Sequence, residues 1–167
     1  MEPALLFTAI ALVAAVFGWS GYAKLAGPET FQADLAAYQL VPSWAITPLS
    51  WFFPVAEISL ALAMLIPATR TEASWGLIAL TLVFSAAVAI NLLRGRRELD
   101  CGCFGGLSQH IGPETLLRNA VLLLGLVLIA LVPPARAALS LDLITGFSAG
   151  LALVLLYFAR LSLPRWQ

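Results

Sequence analysis

Long apolar runs separated by short polar breaks set the pattern of this chain. They predict membrane-spanning helices at about 3–26, 44–66, 73–93, 114–132 and 139–161. Between the first two runs, Phe31, Leu35 and Tyr38 fall at helical spacing among Glu29, Gln32 and Asp34, which predicts a short interfacial helix at about 28–40. Pro54 lies inside the second run and is expected to kink it. Pro113-Glu114 makes a favourable start for the fourth run, and Pro133-Pro134 stops it. The longest polar interruption, 94–112, lies between the third and fourth runs. The fold expected is all-α: a polytopic membrane helical bundle of five transmembrane helices, four in a core plus one, carrying a Cys-Gly-Cys loop.

Composition agrees with lipid as the solvent. Hydrophobic residues make up 61% of the 167 residues and charged residues 11%, against about 25% charged in soluble domains. Mean hydropathy is +0.94. The expectation is one integral membrane domain over residues 1–167. Trp19, Trp44, Trp51, Trp75 and Trp166 fall mostly near span ends, as in an aromatic belt. The start, Met1-Glu2-Pro3, lacks the basic region of a secretory signal, so the first run reads as an uncleaved helix. Nine basic and nine acidic side chains give no net charge and no basic face for nucleic acid. His110 is the single histidine, which argues against a multi-His metal site.

Asp100-Cys101-Gly102-Cys103-Phe104-Gly105-Gly106 holds both cysteines. With one residue between them, the sulfurs can join only through a small strained ring, and strain of that kind marks a labile disulfide. Cys101 and Cys103 are therefore the candidate redox pair. Arg94, Arg96 and Arg97, together with the start of the next helix, would favour a thiolate there. Gly102 permits the tight backbone, and Gly105 and Gly106 leave room for a partner. Asp100, Cys101, Cys103 and His110 match no common zinc spacing, and no metal site is expected.

Lys24, Glu57 and Asn91 are polar residues that stand out within the apolar runs. Glu57 is costly in lipid unless paired or functional, with Lys24, Arg118 or Asn91 as candidate partners. It either fixes helix packing or relays protons released by thiol oxidation. Arg118-Asn119, near the start of the fourth helix, would cap the loop or bind an anionic sulfur species or a quinone head group. No phosphate loop or hydrolytic triad is present, and a quinone is the one cofactor this pattern admits.

Five spans put the Cys loop on a side with Lys24, Arg94, Arg96, Arg97, Arg118, Arg160 and Arg165, whereas Arg70 and Arg136 lie opposite. Counting positive charges places the loop inside the cell. Disulfide chemistry places it outside. The outer face is the expectation adopted, with the arginines serving the site rather than the topology.

The Asp100-Cys101-Gly102-Cys103-Phe104-Gly105 block resembles the MauE-type membrane proteins, named for methylamine utilisation, within the wider DoxX-like group. Ser20-Gly21-Tyr22-Ala23-Lys24-Leu25, Phe31, Tyr38-Gln39-Leu40-Val41-Pro42, Pro54-Val55-Ala56-Glu57 and Arg118-Asn119 resemble further motifs of that family, so the likeness covers roughly residues 15 to 130. The resemblance implies a bacterial inner-membrane protein working with a thioredoxin-like periplasmic partner or client. It also implies support of disulfide formation, as in maturation of methylamine dehydrogenase. Cys101 and Cys103 would be the redox pair, with Lys24 and Glu57 as intramembrane polar positions. The chain lacks a second cysteine pair, so an external acceptor or a quinone must complete any cycle. Two other readings stay open: a small transporter of a sulfur or soft-metal species that docks on the thiols, and a non-catalytic assembly subunit.

Overall fold

A computed structural model describes residues 3–96, 98–99, 111–131, 144–146, 148–153 and 155–156. Its elements are α1 (Pro3–Ala26), α2 (Pro28–Tyr38), α3 (Ser43–Leu65), α4 (Arg70–Leu93) and α5 (Pro113–Leu131). Among the described residues, α1, α3, α4 and α5 are long and apolar enough to cross a membrane. With no water in the hydrocarbon, each segment must satisfy its own backbone, and helix is the local way to do so. The run expected at 139–161 is described only in part, and its described residues 144–146 and 148–153 are helical.

The helices pack through seams of alternating three- and four-residue spacing. On α1 the buried positions include Pro3, Leu6, Ile10, Val13, Phe17, Ser20 and Lys24. On α3 they include Ser50, Pro54, Glu57, Ala61 and Met64. This is the spacing that keeps one face of a helix turned to its neighbour in a gently coiled bundle. Leu6, Ile10, Val13, Phe17, Ala61, Met64, Leu77, Leu126 and Ile129 belong to one core. Large apolar side chains on the opposite faces, including Leu62, Val83, Leu117 and Leu124, point outward, as lipid permits.

Helix α3 continues through Pro48 and Pro54 without interruption. The turn after it is tighter than the sequence pattern suggests, because α4 begins at Arg70 rather than near 73. Its polar residues reach back instead of breaking the helix. Thr69 Oγ1 donates to Ala63 O at 2.7 Å, and Arg70 Nε donates to Met64 O at 3.3 Å. These two donors add to the cap at the end of α3, where Ala63 O also accepts from Ile66 N at 3.1 Å.

Glycines set how closely α1 meets its neighbours. A Cβ added at Gly21 would lie 2.7 Å from Ile58 Cγ1 and 2.8 Å from Pro54 O. At Gly146 it would lie 2.6 Å from Phe7 Cβ, and at Gly150 2.6 Å from Ala11 Cβ. Gly146 and Gly150, four apart, thus seat the C-terminal helical stretch directly on α1. Gly18 differs, since nothing lies within 4 Å of its added Cβ. It borders a groove of about 430 Å³ lined by Ala11, Ala14, Ala15, Ile58, Leu62 and Leu151. Gly21→Ala is expected to lower stability by about 1–3 kcal/mol through overpacking against backbone, whereas Gly18→Ala changes it little. Thermal unfolding of the two purified variants in one detergent checks the contrast.

Candidate functional site

Helix α1 ends, α4 ends and α5 begins at one end of the bundle, where the chain enters the segment bearing the cysteines. Toward that end the seams change from apolar to polar. Ser20 and Lys24 on α1, Glu57 on α3, Thr81 and Asn91 on α4, and Thr115 and Asn119 on α5 are all buried.

The centre of this polar half is an ion pair. Lys24 Nζ donates to Glu57 Oε1 at 2.5 Å, and each side chain is 2% exposed. Lys24 also donates to Ser20 Oγ, one helical turn earlier, at 3.0 Å. Its ammonium lies 4.7 Å from the centre of the Phe84 ring and 5.4 Å from that of Phe31. Both are within the range at which a ring face attracts a cation. Phe31 reaches the ammonium because Gly27-Pro28 turns α2 back over the end of α1, with the proline at the helix start. Gly21 lets α1 and α3 approach at the level of Glu57. The acid is less well provided than the base, since Glu57 Oε2 has no hydrogen-bond partner among the described residues.

A second set of contacts ties α4 to α5. Asn119 Nδ2 donates to Ser85 Oγ at 3.0 Å, and Ser85 in turn donates to Thr81 O at 2.7 Å. One turn nearer the bundle end, Thr115 Oγ1 accepts from Gly112 N at 3.4 Å. Asn91, fully buried, donates to Ala87 O and accepts from Arg96 Nη1 at 3.4 Å.

Helix α4 stops in a way that aims the chain. Gly95 has φ +76°, Gly95 N donates to Leu92 O, and Arg96 N donates to Asn91 O. This pair of bonds closes a helix with a left-handed glycine just past its end. A few residues on, Ile111 N donates to Leu99 O at 2.8 Å, and Ile111 is 2% exposed. Leu99 and Ile111, which flank residues 100–110 in the sequence, are thus pinned together as a neck at the bundle end.

Asp100, Cys101, Gly102, Cys103, Phe104, Gly105 and Arg97 lie outside the described residues. Arg94 is exposed at the end of α4. Arg118 is half-buried beside Asn119 on α5. Of the three partners considered for Glu57, Lys24 is the one that meets it. Asn91 instead holds Arg96, and Asn119 holds Ser85. The sequence reading named Ser20 only within a motif, without its role beside Lys24, and missed Phe84, Ser85 and Thr115. Their seam spacing was the available signal for Ser20, since it shares the stripe of Phe17 and Lys24.

The family model described as Methylamine utilisation protein MauE matches residues 1–133. The chain belongs to the MauE family. A relative named Methylamine utilization protein MauE from Paracoccus versutus is 39% identical over 160 residues, covering 95% of this chain and 86% of the relative. Proteins of the same name from Paracoccus denitrificans and Methylorubrum extorquens are 34% and 36% identical, over 95% and 83% of this chain and 87% and 76% of the relatives. No solved structure matches. Four helices able to span a bilayer, in a member of this family, make the protein a multi-pass membrane protein.

Removing one partner of a buried ion pair strands the other charge, which typically costs about 3–5 kcal/mol, whereas replacing both by apolar groups is often near neutral. Glu57→Leu is therefore expected to destabilise the protein strongly, and Lys24→Met combined with Glu57→Leu to recover most of the loss. Unfolding in detergent for the single and double variants checks this. A double variant no better than Glu57→Leu contradicts it.

Proposed function

We propose that the protein is a thiol–disulfide redox protein of the bacterial inner membrane. In this reading it supports disulfide formation in methylamine utilisation through a thioredoxin-like periplasmic partner. The observation that carries the reading is the pinned neck. The chain's two cysteines fall within residues 100–110, and Leu99 O to Ile111 N joins the two ends of that segment at the polar end of the bundle. A loop held at its base can present a reactive pair while sparing a partner part of the ordering cost. The printed name of the relatives supplies the metabolic context.

In the forward direction a partner thiolate attacks one sulfur of the Cys101–Cys103 disulfide. A new S–S bond joins the two proteins, and the other cysteine leaves as a thiolate and takes up a proton. The partner's second thiolate then attacks the mixed disulfide, which completes the partner's disulfide and leaves Cys101 and Cys103 reduced. Two electrons have entered the pair. A second disulfide or a membrane quinone must remove them, the quinone taking two protons as well. Arg94, Arg96 and Arg97 favour the thiolate form by charge. The Cys loop faces the outer side, where such partners work.

In the single substitutions Cys101→Ser and Cys103→Ser the remaining thiolate can attack the disulfide of an oxidised partner, and no second cysteine is left to resolve the mixed disulfide that forms. At least one of them is expected to accumulate a reducible adduct with a thioredoxin-like protein in cells growing on methylamine, visible by mass after acid quenching. The double variant Cys101→Ser/Cys103→Ser is expected to give none and to lose function while still accumulating in the membrane. No adduct from either single variant, with function retained by the double variant, contradicts the proposal.

A further inference from the structure

Helix α2 is held differently from the others. Each membrane-spanning helix buries four or more residues, whereas α2 buries one, Phe31. Leu35 and Tyr38, on the same face four and seven residues further on, are half-buried, and Glu29, Ala33 and Ala36 are exposed. The one buried side chain lies outside the apolar core of the bundle. Its ring sits over the Lys24 ammonium, 5.4 Å from it. Both ends of α2 are corners. At one, Gly27 precedes Pro28 and no side chain caps the helix. At the other, Gln39 stands in the left-handed region at φ 52°, the one non-glycine residue to do so among those described. A residue with a Cβ is held there at a cost. The position of α2 thus stores strain at one corner and is secured by one aromatic ring near the other. Backbone strain of this kind gathers in segments that switch between two positions.

We infer that α2 is a lid over the Lys24–Glu57 pair, hinged at Gly27 and Gln39 and latched by Phe31, and that it lifts while the four spanning helices stay packed. The open form gives water at this end of the bundle a way to a charge pair otherwise sealed in the membrane. The lid is independent of the thiol chemistry proposed above.

Lifting α2 leaves the pair assembled, because the other contacts of Lys24 come from elsewhere: Ser20 Oγ from α1, Glu57 Oε1 from α3 and the Phe84 ring from α4. Two opposed tendencies then set how often the lid is open. Burial of the Phe31 ring favours the closed form. The pair favours the open one, since a buried carboxylate repays its desolvation only when its remaining lone pairs are bonded. Glu57 Oε2 has no partner among the described residues, and water let in beside Lys24 can supply one.

The test uses the Cys101→Ser/Cys103→Ser protein in lipid nanodiscs, with single reporter cysteines and a small water-soluble methanethiosulfonate. Ser20→Cys reports on the pair, and Ser74→Cys, fully buried near the start of α4, reports on opening of the whole bundle. Phe31→Ala is expected to speed labelling of Ser20→Cys by about 10-fold or more, and Phe31→Leu to return most of that change. The Ser74→Cys rate is expected to stay the same in all three. A Ser20→Cys rate that Phe31→Ala leaves unchanged overturns the lid, and so do two reporters that speed up alike, since the bundle then opens as a whole. Spin labels at Ala33→Cys and Thr71→Cys, both exposed, read the position of α2 without touching the pair. One main distance is expected with Phe31 in place and a second, displaced one in Phe31→Ala. A distance distribution that Phe31→Ala does not alter overturns the lid even where Ser20→Cys labels faster, because the ring then covers the pair without any movement of α2.

Discussion

In a bilayer a charge can be kept only where protein replaces water, and the meeting of Lys24 with Glu57 imposes that condition on everything around it. It requires Gly21 at the contact of α1 with α3, because a side chain there would run into Pro54 and Ile58. It requires α2 to fold back so that Phe31 covers the ammonium, and α4 to bring Phe84 to the other side. Four of the five helices thus contribute to one buried cation site. The rest of the packing, from Leu6 to Phe17 on α1 and from Ala61 to Met64 on α3, is the apolar continuation of the same seams. The pair need not add net stability to fix this geometry, since buried pairs can specify an arrangement even when an apolar replacement would be equally stable.

The polar half of the bundle is also the half from which the cysteine segment emerges. This joins two features that are far apart in the sequence. Asn91 and Arg96 fix how the chain leaves α4, Thr115 and Gly112 fix how it enters α5, and Leu99 with Ile111 closes the neck. Each device is local and inexpensive: a left-handed glycine, a side-chain bond one turn from a helix end, a single backbone bond. Together they fix Leu99 and Ile111, the two positions between which the cysteine-bearing residues lie in the sequence.

The helical bundle was legible in the sequence because lipid leaves few alternatives: an apolar run of about 20 residues is a helix or it is not in the membrane. The start of α4 was not legible, because Thr69, Arg70 and Thr71 read as a polar break, and only the structure shows Thr69 and Arg70 capping Ala63 and Met64. Lys24 and Glu57 stood out as charges, but choosing between Lys24, Arg118 and Asn91 as partner needed the two seams to be set side by side. The pairing of Ser85 with Asn119 is a contact between helices that no one-dimensional spacing encodes. Gly146 and Gly150 were readable as a small-residue contact and were passed over, since that run was judged by its hydropathy alone.

In the proposed function Cys101 and Cys103 form a disulfide that is open to the outer compartment. Thiol trapping on intact cells, with a membrane-impermeant maleimide carrying a mass tag, tests it most directly. Two tags per chain are expected only after mild prior reduction, with none added before. Labelling that appears only once the membrane has been permeabilised puts the loop inside, and contradicts it.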